Sequence, residues 1–323
     1  MKKMMALMMA TMILLTACSG QTGKGKENKT KFKIGINQLA EHPALDAVKE
    51  GFEQELKNLG VEAEIDWKNA QGTVDNSTKI SQKFAQDKVD LILAIATIAA
   101  QTSKTATAEN KIPVLFSAVT DPVSAELVES MEKPNGNLSG TTDMAPMDKQ
   151  LKLFTTIKPE IKKIGIIYNT GEANSEAQVK MAESLAADLG LEIVTVGINN
   201  INEVPQAVDA ILTKADAIYT ITDNIVASAI NVVAKKANEA GVITIGAEKA
   251  HVEGGILMTE GLSYLELGKQ TARMAKRVLV DKEDISQMPV ENLKETSKAV
   301  NVTTAKQLGL EQLPVFEGAE EVK

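Results

Sequence analysis

Small polar side chains recur at one kind of place in this 323-residue chain, immediately after short apolar runs. Gln38, His42 and Pro43 follow the run at 32–37, Thr97, Ile98 and Gln101 follow 90–96, and Thr120, Asp121 and Pro122 follow 112–118. Further along, Glu172, Asn174 and Ser175 follow 163–169, Asp223 and Asn224 follow 217–222, and Glu248 follows 242–247. Hydroxyls and free helix N-terminal amides suit a carboxylate, and Asp or Glu suits an ammonium group. Taken together the set fits a small zwitterion.

Each of these residues also has a purely structural reading. Asn174, Ser175 and Thr97 are types that cap helices. His42-Pro43 and Asp121-Pro122 read as helix starts, because proline suits the first turn, and Asp223-Asn224 reads as a turn. Capping and binding are compatible, since a capped helix N-terminus still offers amides. His251 falls in a polar segment and is given no role. Two histidines and one cysteine make neither a metal cluster nor a Cys–His pair. No nucleophile elbow and no glycine-rich phosphate loop is present in the sequence. The expectation is a binding protein without catalysis, metal or cofactor.

The elements that must position these residues alternate along the chain. Strands are expected at 32–37, 62–67, 90–96, 112–118, 163–169, 192–198, 217–222, 242–247, 255–259 and 298–302. Most are continuous Val/Ile/Leu runs, the pattern of strands covered on both faces. Amphipathic segments such as 44–60 lie between them. This is an α/β chain, and repeated βα units imply parallel sheets with right-handed crossovers. The order of elements over 32–118 repeats over 163–247. That implies two similar lobes of open parallel sheet flanked by helices, with 134–146 as the first crossing between them. The first lobe is expected to hold 32–141 plus about 260–284, and the second 142–259 plus about 296–319. Ligands of open parallel sheets bind beyond the carboxyl ends of the strands, so the polar residues of both lobes converge on one cleft.

The chain opens with two lysines, an apolar run from Met4 to Leu15, and Leu15-Thr16-Ala17-Cys18. A charged start, a short apolar run and small residues make a secretory signal over 1–17, too short for a membrane span. Cys18 is the only cysteine, which excludes an intramolecular disulfide, and Leu-Thr-Ala-Cys resembles a bacterial lipobox whose cysteine is acylated. Residues 19–31 carry no large apolar side chain and read as a flexible tether. More than one acyl chain anchors a protein stably, so the expectation is an exported protein held on the outer side of the cell membrane by lipid alone. Net charge is −8, and loss of Lys2 and Lys3 with the signal carries it to −10. Nucleic acid rewards basic surfaces, so it is excluded as a partner.

Six segments, "EHPALDAVKEGF", "ATIAAQT", "AVTDPVSAELV", "PNGNLSGTTDM", "IIYNTGEANSEAQV" and "TITDNIVASA", resemble in order and spacing the ABC-transporter substrate-binding lipoprotein family whose characterised members bind aromatic amino acids. The resemblance runs from Phe32 to about Ala319. It implies a periplasmic-binding-protein type I fold with three crossovers at the hinge, acting as a monomer that delivers a free amino acid to an ABC permease and its ATPase. By the resemblance, Asn174 and Ser175 hold the ligand's α-carboxylate and Asp223 the ammonium, with Asn224 beside it. Thr97, Gln101 and Thr120 add first-lobe hydrogen bonds, Gln38, His42 and Pro43 line the side-chain end, and Glu172 makes a closing contact. Phe116 or Tyr219 meets the ligand's ring or belongs to the core. One departure is Ile98, where the family commonly has proline, in the loop beside the ligand. Another compact zwitterion, such as a branched-chain amino acid, is the alternative ligand, and a sensor or surface lipoprotein the alternative role.

Overall fold

A computed structural model of the chain describes residues 31–323. The signal segment, Cys18 and nearly all of the tether lie outside the described residues.

The first sheet is built from βα units whose strands are apolar throughout. β1 (Phe32–Gln38) leads through α1 (Pro43–Asn58) to β2 (Ala63–Asn69), and α2 (Val74–Asp87) leads to β3 (Leu91–Ile95). Next come α3 (Thr97–Ala106), β4 (Val114–Ser117) and β5 (Leu138–Thr142). All five residues of β3 and all four of β4 are buried, as strands covered on both faces must be. With β11 (Glu291–Asn292) the order is β11-β5-β4-β3-β1-β2, parallel throughout. Phe52, Phe84 and Phe116 are fully buried in its core.

The second sheet repeats the plan. α4 (Met147–Ile157) precedes β6 (Lys163–Asn169), α5 (Ala173–Asp188), β7 (Glu192–Ile198), α6 (Val204–Leu212) and β8 (Ala217–Thr220). The short α7 (Asn224–Ser228), α8 (Ile230–Glu239), β9 (Ile243–Gly246), α9 (Lys249–Glu253) and β10 (Met258–Gly261) follow. Completed by β12 (Ser297–Asn301) and β13 (Glu320–Val322), its order is β13-β12-β10-β9-β8-β6-β7. The helices α4 and α5 cover one face and α6 and α8 the other, giving two apolar clusters.

The chain passes between the lobes three times. After β5 it enters the second lobe, after β10 it returns as α10 (Tyr264–Leu279), and after β11 it leaves again for β12 and α11 (Val302–Gln307). The helix α10 lies on α1 so closely that a Cβ on Gly268 would fall 2.0 Å from the Val48 carbonyl oxygen.

Three strands were not foreseen. Residues 134–146, read from sequence as a crossing, contain β5, so only 143–146 cross. The run Leu-Ser-Gly-Thr-Thr lacks the apolar signature because β4 lies too close: a Cβ on Gly140 would meet the Phe116 carbonyl oxygen at 2.0 Å. The short strands β11 and β13 are the others. The second sheet is also not purely parallel. The strand β12 runs antiparallel to β10 because the chain re-enters that lobe from the opposite end.

Candidate functional site

Between the carboxyl ends of the two sheets lies a small pocket lined by residues of both lobes. His42 enters it from the start of α1, Thr120 from the loop after β4, and Asp143 from the end of β5. The second lobe supplies Asn174 at the start of α5, Thr222 to Asn224 after β8, and Glu248 after β9. Tyr264 opens the crossing helix α10, while Leu45, Ala118 and Ala227 give the apolar lining. The backbone turns sharply where the first-lobe strands end, at Ala96 (φ +82°) and Ala118 (φ +56°). Non-glycine residues rarely adopt that region, and such strain collects at ligand sites.

Of the residues expected from sequence, the structure brings His42, Thr120, Asn174, Asp223, Asn224 and Glu248 together around this pocket. The others are placed elsewhere. Gln38 is buried inside the first lobe, donating to Asp46 Oδ1 (2.7 Å) and accepting from Trp67 Nε1 (2.9 Å). Pro43 lines a separate cavity with Lys249 and Ser263. Thr97 and Ile98 are buried in the first turn of α3, and Gln101 donates to the Ala125 carbonyl (3.2 Å). Asp121 caps the turn after Pro122, accepting from the Ser124 amide (2.9 Å). Ser175 stands behind the pocket wall, its hydroxyl donating to Asp223 Oδ2 (2.7 Å). Phe116 and Tyr219 belong to the core: both are fully buried, and Tyr219 packs edge-on against Phe154 and bonds Gln150.

The second-lobe wall is a network of carboxylates and amides. Asp223 caps α7, accepting from the Val226 amide at Oδ1 (2.9 Å), and from the Asn169 amide (2.5 Å) and Ser175 at Oδ2. Burial raises its pKa, and these donors pull the other way. Glu172 accepts from the side-chain amides of Asn224 (2.6 Å), Asn169 (3.0 Å) and Asn174 (3.1 Å). Its pKa is raised by burial and then by the charge of Asp223. Thr222 is clamped by Gln178, whose Oε1 accepts from both its amide (3.1 Å) and its hydroxyl (2.7 Å).

Two bridges close the cleft. His42 Nε2 lies 3.3 Å from Asn224 Oδ1, and Thr120 Oγ1 lies 3.3 Å from Thr222 Oγ1. Because Asn224 spends its NH₂ on Glu172, its oxygen must accept from His42, which assigns the ring proton to Nε2. Burial lowers the His42 pKa, although Glu248 nearby works to raise it. The hydroxyl proton of Thr222 is likewise committed to Gln178, so Thr120 is the donor in the second bridge.

The remaining acids sit around Tyr264. Its hydroxyl donates to Asp143 Oδ2 (2.6 Å), and burial raises the Asp143 pKa to about 6. At Glu248, burial works upward but is outweighed by the charge and hydrogen bond of His251, 3.1 Å away, leaving the group lowered. His251 is itself fixed by Thr220 Oγ1 at 3.0 Å and is buried, contrary to its reading as part of a polar segment.

Four buried atoms of this pocket have no hydrogen-bond partner among the described residues: His42 Nδ1, Asp143 Oδ1, Asn174 Oδ1 and Glu248 Oε2. All four are acceptors, contributed by both lobes. An unmet buried polar group costs about 1–3 kcal/mol, and few occur per hundred residues. The four residues that carry them all line this pocket, an arrangement that a ligand rich in donors would satisfy. Among the described residues no group of three or more His, Cys, Asp or Glu has the arrangement of a metal site. Asp143, Thr222, Tyr264 and His251 were missed from sequence. Only Thr222 carried a usable signal, as the last residue of an apolar run.

A family model for ABC transporter substrate binding proteins matches residues 33–319. A tyrosine-binding protein of Clostridioides difficile (strain R20291) is 40% identical over 326 residues, covering 97% of this chain and 94% of that one. Among solved structures, the ABC domain from Streptococcus pneumonia in complex with L-Trp is 31% identical, with a TM-score of 0.85 over 90% of this chain and 100% of that one. A ligand-free, open substrate-binding protein with adhesive properties from Clostridium difficile is 42% identical, with a TM-score of 0.70 over 90% and 99%. The open protein is nearer in sequence yet further in shape.

Proposed function

We propose, for a chain that belongs to the family of ABC transporter substrate-binding proteins, that the inter-lobe cleft captures an aromatic amino acid and delivers it to a permease and its ATPase. The protein is a solute-binding protein and not an enzyme. The observation that carries the ligand reading is the convergence of four unpaired buried acceptors from both lobes beside an apolar lining. An α-ammonium group offers three N–H donors to such a set. Its partners are Glu248 Oε2, Asp143 Oδ1 and Asn174 Oδ1. The ammonium role expected for Asp223 passes to these groups, because Asp223 already meets three donors of its own lobe. It fixes the wall on which Asn174 and Asn224 stand. The ligand's carboxylate meets the amides that open α5. The relatives named for tyrosine and crystallised with L-Trp support an aromatic side chain.

Ligand that binds only the folded state raises the melting temperature by mass action, about 2.7 kcal/mol at a hundredfold excess over Kd. A thermal-shift screen of the twenty amino acids is expected to show its largest shifts with tyrosine or tryptophan. Absence of any aromatic amino acid among the hits sinks the reading.

Anchoring through acylated Cys18, with residues 19–31 as tether, belongs to the same proposal. No helix of the described residues is long and apolar enough to cross a membrane. Cys18→Ser is expected to move the protein from the membrane to the soluble fraction with ligand affinity unchanged. A variant that stays on the membrane as firmly as wild type removes the lipid anchor.

A further inference from the structure

We propose that Tyr264 is a positioning residue of the amino acid site: its phenol holds Asp143 ionised with the free oxygen left for the ligand's ammonium group, so that a proton on Asp143 competes with the ligand. The proposal rests on the amino acid reading above and adds its regulation by pH.

The contact between these two residues ties together two crossings of the chain. Asp143 follows β5, where the chain leaves the first lobe, and Tyr264 opens α10, where it returns 121 residues later. Both are buried, at 4% and 8% exposure. The Tyr264 hydroxyl donates to Asp143 Oδ2 at 2.6 Å, and Oδ1 is left buried without a partner among the described residues. Both residues line the pocket, and so does Glu248, whose Oε2 likewise has no partner among the described residues. A phenol has one proton to donate, so Tyr264 serves Asp143 and cannot serve Glu248 as well.

Two carboxylates that share a buried space resist being ionised together, and either a cation or a proton relieves them. Of this pair, Asp143 is the one that takes the proton. Burial works upward on Glu248 too, but the charge of His251 outweighs it and leaves that group lowered. Burial raises the Asp143 pKa to about 6, and the Tyr264 hydrogen bond is foremost among the influences that lower it. The other titratable groups around the pocket are His42 at the start of α1, His251 on α9, and Asp223 and Glu172 in the second-lobe wall. Asp223 and Glu172 are occupied by amides and a hydroxyl of their own lobe, so neither offers the ammonium a free oxygen. An ammonium group binds the ionised carboxylate. Affinity is therefore full above the Asp143 pKa and is lost as the pH falls through about 6.

The test is calorimetric titration of the full-length protein with L-tyrosine and L-tryptophan from about pH 5 to about pH 8, where both amino acids stay zwitterions. The dissociation constant of whichever binds is expected to be level above about pH 7 and to rise roughly tenfold by about pH 5, as the competent fraction falls. Near pH 6, binding is expected to release about half a proton, read from the heats in two buffers of different ionisation enthalpy. Asp143→Asn is expected to bind more weakly at neutral pH and to lose both the slope and the proton release. Tyr264→Phe keeps the ring and loses the donor, and is expected to move the midpoint of the affinity loss up by about one pH unit. A merely structural loss weakens binding alike at every pH. Wild-type affinity that is flat across the range overturns the proposal while leaving the aromatic reading in place. So does a slope that survives in Asp143→Asn, or a midpoint unmoved in Tyr264→Phe. Failure of both amino acids to bind at any pH overturns both readings together. The pH profile and proton release of the wild-type protein decide the matter even if neither variant folds.

Discussion

Glu248→Gln is expected to weaken amino acid binding by at least about 30-fold while leaving the protein folded. Glu248 is 2% exposed, and one of its oxygens is paired with His251 while the other faces the pocket unpaired. Neutralising it leaves the ligand's ammonium buried against Asp143 and Asn174 alone. Removing one partner of a buried charge pair costs about 2–5 kcal/mol. Glutamine has nearly the same shape and retains an oxygen for His251, so folding is barely affected. Asp223→Asn is expected to behave the other way. Its oxygens are occupied by the Asn169 and Val226 amides and by Ser175, all within the second lobe. An amide there turns an NH₂ toward at least one of these donors, and stability falls by about 1–3 kcal/mol through the unmet group. Chemical denaturation separates this from a loss of affinity measured by calorimetry. Should Asp223→Asn lose 30-fold in binding at full stability while Glu248→Gln stays within threefold of wild type, the ammonium belongs to Asp223.

That contrast shows what the sequence could and could not carry. Strands such as β3 and β8 announce themselves as apolar runs, and polar residues just past them are candidates by the strand-end rule alone. Six of those candidates do reach one pocket. Yet residue type does not distinguish a group that faces the ligand from one that holds its neighbour. Ser175 and Asp121 have the chemistry of ligand contacts and spend it on Asp223 and on a turn. Asp143 and Tyr264 escaped because they flank crossings between the lobes. The strand before Asp143 is a Ser-Gly-Thr-Thr run whose glycine is demanded by the neighbouring Phe116 backbone. His251 escaped because its helix has only five residues, and its burial depends on a glycine opposite: a Cβ on Gly246 would sit 2.7 Å from the His251 Cβ. Close approach of backbone is a property of pairs of distant segments, and no local periodicity reports it.

The same kind of contact underlies the largest expected effect on stability. Gly268→Val is expected to destabilise the protein by about 3 kcal/mol or more, toward the upper part of the range for overpacking. A Cβ at that position would lie 2.0 Å from the Val48 carbonyl oxygen and 3.0 Å from the Phe52 amide nitrogen. Across the same contact, a Cβ on Gly51 would lie 2.1 Å from the Leu265 carbonyl oxygen. These are backbone atoms of α1 and α10, so no rotamer change relieves the clash and the helices must separate. A loss of that size is a large share of the roughly 5–15 kcal/mol that holds an ordinary domain folded. Gly136→Ala is the control, because a Cβ there meets only the Leu138 amide nitrogen, at 4.0 Å, an ordinary contact, and surface changes of this kind stay within about 0.5 kcal/mol. Urea denaturation of the three proteins checks the expectation, and a Gly268→Val midpoint equal to wild type refutes it. Binding is expected to weaken as well in whatever fraction stays folded. The helix α10 begins at Tyr264, whose hydroxyl holds Asp143 at the pocket, and α1 begins just after His42. Forcing the two helices apart therefore moves the acidic end of the site relative to the His42–Asn224 bridge.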